Sequence, residues 1–127
     1  MPFKQIFLID DDIDDQELFI SALKNIDQNV DCRVSGNGQD ALRKLNNREV
    51  IPNLIFLDLN MPLMNGHEFL QRIKKDESLK HIPVFVFTTS RNPRTIEDVK
   101  KLGAQDLITK PNSFNELLLL LRPIVCE

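Results

Sequence analysis

The sequence predicts an α/β protein, a doubly wound (βα)5 sandwich around a five-stranded parallel sheet. Three observations carry this prediction. Short apolar runs alternate with amphipathic segments from one end of the chain to the other, the order expected of a layered α/β domain. The runs are continuous rather than alternating, which suits strands covered on both faces. Most of them stop abruptly at a polar, chemically capable residue.

The first run, Gln5-Ile6-Phe7-Leu8-Ile9, ends at Asp10. A helix should follow, with Leu18, Ala22 and Ile26 as its inward stripe and Asp14, Asp15 and Glu17 near the positive end of its dipole. Asp31 to Val34 is a weaker strand, and Asp40 to Leu45 carries a second helical stripe. Asn53-Leu54-Ile55-Phe56-Leu57 ends at Asp58, and His67 to Lys75 forms the third helix. Pro83-Val84-Phe85-Val86-Phe87 ends at Thr88. Asn92-Pro93 then reads as an N-cap with proline in the first turn, and Gly103 closes that helix. Asp106-Leu107-Ile108-Thr109 ends at Lys110-Pro111, and Ser113-Phe114-Asn115-Glu116 has capping-box spacing before the last helix.

That last helix contains five consecutive leucines, Leu117 to Leu121. Successive helical residues turn by about 100°, so the five spread around the whole circumference. Phe114, Leu117, Leu118 and Leu121 make the inward stripe. Leu119 and Leu120 remain for the surface and, with Leu107 nearby, predict an apolar patch. A homodimer through the last strand and helix is the expectation.

Composition bounds the function. The 127 residues suit one domain, 1–127, with no output domain, and 42% hydrophobic with 28% charged residues is ordinary for a globular protein. A net charge of −3 and the lack of a Lys/Arg stripe argue against direct nucleic-acid binding. Cys32 and Cys126 read as free thiols of a reducing compartment. Met1-Pro2-Phe3-Lys4 opens no signal sequence, and no apolar run approaches membrane length. A cytoplasmic protein with no membrane partner is expected.

In an open parallel sheet the functional crevice lies beyond the carboxyl ends of the strands. Asp10, Asp11, Asp58, Thr88 and Lys110 should therefore meet there. Three carboxylates at such range repel unless a cation sits between them. An all-oxygen site with room for water favours Mg²⁺. Lysine adds a second positive charge and threonine a hydroxyl donor. The set suits phosphoryl transfer, in which charge on several oxygens must be neutralised at once.

These pieces, in order, resemble the signature of the receiver domains of bacterial response regulators: Asp10-Asp11, then Asp58-Leu59-Asn60-Met61-Pro62-Leu63-Met64-Asn65-Gly66, Thr88 and Lys110-Pro111. The resemblance covers nearly the whole chain and implies the flavodoxin-like strand order 2-1-3-4-5. The Asp-rich start and the connection from Asn46 to Asn53 also resemble stand-alone regulators that partner cyanobacterial phytochromes and related histidine kinases. The resemblance implies that Asp58 accepts a phosphoryl group from the phosphohistidine of a kinase or phosphotransfer protein. It makes Asp11 the direct metal ligand of the acidic pair, with Asp10 acting directly or through water, alongside Asp58 and the backbone carbonyl of Asn60. Lys110 pairs with Asp58 and then with phosphoryl oxygens, across a cis bond to Pro111. Thr88 is the switch hydroxyl by the family pattern alone, with Thr89 and Ser90 as adjacent alternatives, and Asn60 and Ser90 hold the positions that tune hydrolysis. The product is a signalling switch read by a downstream protein, not a turnover enzyme. One departure stands out: Leu107 replaces the aromatic residue that many receivers carry three places before the lysine.

Blander readings compete at each position. Asp14, Asp15 and Asp12 suit a solvated helix N-terminus. His67 and His81 read as structural or exposed, and Met61 and Met64 as loop packing. A phosphohydrolase of the haloacid-dehalogenase type would place a second aspartate where Asn60 stands. A flavin carrier would need a phosphate-cradling Ser/Thr/Gly loop in its first helix and aromatic stacking partners, and the chain has no Trp or Tyr.

Overall fold

The computed structural model describes residues 5–125. Its strands are β1 (Gln5–Ile9), β2 (Asp31–Ser35), β3 (Leu54–Leu57), β4 (Val84–Thr88) and β5 (Asp106–Thr109). They lie in the order β2-β1-β3-β4-β5, with every pairing parallel. The helices between and after them are α1 (Ile13–Ile26), α2 (Gly38–Asn46), α3 (Gly66–Lys75), α4 (Pro93–Lys101) and α5 (Phe114–Val125). The fold class and strand order expected from sequence are both present. No helix among the described residues is long and apolar enough to cross a membrane. Cys126 lies outside the described residues; Cys32 is a free thiol, pushed up to about 12 by burial and by the neighbouring Asp31 charge.

Successive strand residues point to opposite faces, and here both faces are apolar. Phe7, Ile9, Ile55, Leu57, Val84 and Val86 pack against α2, α3 and α4. Ile6, Leu8, Leu54, Phe56 and Phe87 pack against α1 and α5. This is why the apolar runs read as continuous. Ile6 to Ile9 and Leu54 to Leu57 are fully buried, so β1 and β3 form a rigid centre for whatever follows them.

The phase of α1 differs from expectation. Phe19, Ala22 and Leu23 are its buried residues, while Leu18 is half exposed and Ile26 only partly covered. The four-residue spacing of Leu18, Ala22 and Ile26 missed the stronger claim of an aromatic ring. Phe19 inserts between Phe56 and Phe87, edge-on to the first with ring centroids 4.9 Å apart and tilted against the second at 5.7 Å, and aromatic contacts of this kind add to area burial. In α5 the expected stripe holds: Leu117 and Leu121 are buried, whereas Leu119 is 70% and Leu120 38% exposed.

Helix ends follow local chemistry. Asp12, Asn37, Asn65 and Asn92 cap α1 to α4, and Asn65 with Glu68 completes a capping box. Gly103 takes φ +110° just past α4, a conformation that favours glycine. At the other ends, Lys24, Lys44 and Lys74 donate to the carbonyls of Val30, Val34 and Ile82 at 3.0, 3.1 and 2.8 Å. Each lysine thereby ties a helix C-terminus to nearby connecting chain or strand, where the dipole also favours a cation.

One such knot has a defined pH signature. The Ser35 hydroxyl donates to Asp40 at 2.7 Å, Arg43 donates at 2.8 Å, and Lys44 lies 3.1 Å away. Ser35 first, then Arg43, bring the Asp40 carboxyl down to about 2 from 3.8. A lowered folded-state value means stability that is fully present above the unfolded value and lost as pH falls through the folded one. Asp40→Asn should cost roughly 1 kcal/mol at pH 7, a figure discounted for partial exposure. In urea unfolding, the gap to wild type should narrow as pH falls from about 4 toward 2. A gap constant across that range contradicts the assignment.

Candidate functional site

The sheet's own hydrogen bonding extends one residue past the strands and clamps the polar ends in place. Asp10 N–H donates to Ser35 O at 2.9 Å, Asp58 N–H to Ile9 O at 2.9 Å, and Lys110 N–H to Thr88 O at 2.7 Å. Asp10 and Thr88 are fully buried and Asp58 is 7% exposed, while Asp11 reaches solvent. One carboxylate oxygen from each of Asp10, Asp11 and Asp58 falls within a cluster no wider than 4.8 Å. The sequence-predicted acids therefore do meet.

Lys110 answers their charge. Its ammonium donates to Asp10 Oδ2 and to Asp15 Oδ2, both at 2.8 Å, and stands 3.6 Å from Asp58 Oδ2. The Phe87 ring lies beneath it, 5.6 Å from ammonium to centroid. Burial alone would lower the Lys110 value, but the hydrogen bonds it donates to Asp10 and Asp15 outweigh it and raise the lysine above its usual range. Asp58 is pushed up to about 6, first by burial, against the pull of Lys110 and with the added repulsion of Asp10. A carboxylate so placed is short of positive charge. The donor set is all oxygen and already converged, which fits a hard divalent cation such as Mg²⁺ better than a soft metal.

The loop after β3 wraps tightly over this site. Asn60 N–H donates to Asp58 Oδ1 at 3.4 Å, and Gly66 N–H donates to Leu59 O at 3.0 Å. A Cβ on Gly66 would stand 2.5 Å from Asp58 O and 2.7 Å from Leu59 Cα, both backbone atoms. Glycine is required there by close approach. Met64 is buried and Met61 packs against the same core, which bears out their reading as packing residues. His81 is exposed and His67 partly so.

Thr88 Oγ1 accepts from Ser90 N–H at 3.4 Å, and Thr109 Oγ1 donates to Ser90 O at 3.5 Å. Both are long contacts on one loop. Leu107 is half-buried and packs on the core beneath α4.

Two expectations are corrected. No cis peptide bond occurs among the described residues, so the bond between Lys110 and Pro111 is trans, the isomer that X–Pro bonds prefer when nothing else decides. Asp15 lies in the first turn as a dipole acid should, but it is not merely solvated: it is a direct partner of Lys110. The overlooked signal was its phase: Asp12 is the N-cap, accepting from Asp15 N–H at 3.1 Å. This puts Asp15 in the first turn, next to the strand ends.

This geometry is that of a phosphoryl-accepting, metal-binding receiver. The response regulator receiver domain model matches residues 6–122. The chain belongs to that family. It is 32% identical to response regulator Rcp1 of Synechocystis sp. over 97% of this chain and 87% of that protein. Among solved structures, the phosphorylated cyanobacterial phytochrome response regulator RcpA superposes with a TM-score of 0.88 at 34% identity, over 95% of this chain and 90% of that one. The Mn²⁺-bound form of Rcp1 gives 0.86 at 32% identity, over 95% and 91%. The chain spans only 31% of the length of the protein-glutamate methylesterase/protein-glutamine glutaminases it matches in Syntrophomonas wolfei and Trichodesmium erythraeum.

Proposed function

We propose that residues 1–127 act as one phosphorylation-controlled signalling switch, in which Asp58 accepts a phosphoryl group from the phosphohistidine of a sensor histidine kinase or phosphotransfer protein. The convergence of Asp10, Asp11 and Asp58 beside Lys110 is the observation that carries this reading. The likeness to the cyanobacterial phytochrome response regulator RcpA supports a phytochrome-type kinase as the donor, and the cytoplasm is the proposed setting.

Asp10, Asp11, Asp58 and the backbone carbonyl of Asn60 would hold Mg²⁺. When bound, the cation supplies neutralising charge to the phosphoryl oxygens and to the carboxylates that hold it. An Asp58 carboxylate oxygen attacks phosphorus in line; the O–P bond forms as the N–P bond breaks, and its electron pair leaves on the imidazole nitrogen. Lys110 pairs with Asp58 and then with phosphoryl oxygen. The phosphoryl group, carrying roughly −1.5 to −2 in place of the single negative charge of the carboxylate, draws the Thr88 hydroxyl from its long contact with Ser90 and moves that loop. Hydrolysis resets the switch, at a pace tuned by Asn60 and Ser90. The output is a contact with a downstream protein, without direct nucleic-acid binding. Asn60, where a haloacid-dehalogenase-type hydrolase would carry its second aspartate, favours this switch over a turnover enzyme.

Two exposed leucines, Leu119 and Leu120, and the half-exposed edge strand β5 support pairing of two copies through the last strand and helix.

With Mg²⁺ and acetyl phosphate, peptide mapping should find one phosphoryl group, on Asp58, and Asp58→Asn should abolish it. Unlabelled wild type, or undiminished labelling of the variant, contradicts the reading. In gel filtration, wild type should elute as a dimer and Leu120→Asp as a monomer. A variant that still elutes as a dimer removes the proposed interface.

A further inference from the structure

Lys110 has three ammonium protons and three carboxylates within 4.0 Å, yet it does not treat them equally. Asp10 and Asp15 each hold it at 2.8 Å, whereas Asp58 is left at 3.6 Å, beyond hydrogen-bond length. The Asp10 side chain is almost fully buried; that of Asp15 is 34% exposed. Of the two short contacts, the one to Asp15 is therefore the better screened by solvent and the easier to break.

Asp15 is also firmly placed. It sits in the first turn of α1, its N–H bonded to the Asp12 cap at 3.1 Å, and α1 is anchored on the sheet through Phe19. Its backbone is thereby fixed at the sheet end, and the 2.8 Å bond it accepts holds an ammonium that stands 3.6 Å from the acceptor.

We infer that Asp15 is a positioning residue that competes with Asp58 for Lys110, so that the lysine is released to the phosphoryl group only by breaking its contact with α1. The inference rests on Asp58 being the phosphoacceptor. It gives α1 a part in setting how firmly the phosphoryl group is held. Removing the competitor leaves Lys110 free to move onto the acceptor, so Asp15→Asn should hold a phosphoryl group more tightly than wild type.

The test compares wild type, Asp15→Asn, Asp15→Glu and Asp14→Asn. Asp14 is exposed in the same helical turn, so Asp14→Asn removes an equal charge without touching Lys110. Two readouts serve: the lifetime of the acetyl-phosphate-derived label on Asp58, and the affinity for beryllofluoride with Mg²⁺, followed by amide NMR. Asp15→Asn should lengthen the lifetime and tighten beryllofluoride binding by about three- to tenfold, the range of a partly screened charge-assisted hydrogen bond. Asp14→Asn should change either by less than about twofold, and Asp15→Glu, which keeps the charge, should restore most of the wild-type behaviour. Equal effects of Asp15→Asn and Asp14→Asn, or weaker phosphoryl retention in Asp15→Asn, overturn the inference while leaving the acceptor reading intact. Absence of label on every variant, wild type included, overturns both.

Discussion

The structure turns on a repulsion. Asp10, Asp11 and Asp58 are carried to one point by the ends of β1 and β3, and the ladder bonds at Asp10 and Asp58 leave their backbones no freedom to part. Like charges held this close in a partly buried site raise one another's proton affinity, and Asp58, near 6, carries the effect on top of its burial. The site therefore favours positive charge. Lys110 supplies one unit, anchored by its own backbone bond to Thr88 and shared with Asp15.

Holding such a set demands a rigid support. Fully buried β1 and β3 give it, covered on one side by α2, α3 and α4 and on the other by α1 and α5. Packing of this kind resists small displacement, so the acids cannot drift apart to relieve their charge. Softer material surrounds this frame. Thr88 and Thr109 meet Ser90 only through long contacts, and a phosphoryl group on Asp58 would act on that loop rather than on the sheet. Leu107 packs into the core beneath α4, so a leucine occupies the position where an aromatic relay would stand.

Much of this was legible in the chain. Continuous apolar runs ending in Asp10, Asp58, Thr88 and Lys110 specified the strands, and parallel pairing then required their ends to converge. The leucine run of α5 disclosed its buried and exposed faces because helical geometry alone sorts Leu117 and Leu121 from Leu119 and Leu120. The phase of α1 was harder. A four-residue spacing counts leucine, alanine and isoleucine alike, while the packing was decided by the reach of the Phe19 ring toward Phe56 and Phe87. Asp15 was hidden for a related reason: an acid in a first turn is adequately explained by the dipole, and its partner lies 95 residues away. The trans bond before Pro111 was beyond local pattern, since either isomer fits the dipeptide.

We propose that the strand-end carboxylates are one divalent-cation site and that Asp58 belongs to it. Titrating the protein with substoichiometric Mn²⁺ and recording amide NMR spectra addresses it most directly. Broadening should begin at residues 10, 11, 58 and 60, be displaced by excess Mg²⁺, and disappear in Asp10→Asn. Broadening that begins elsewhere, or persists unchanged in that variant, places the cation away from these carboxylates.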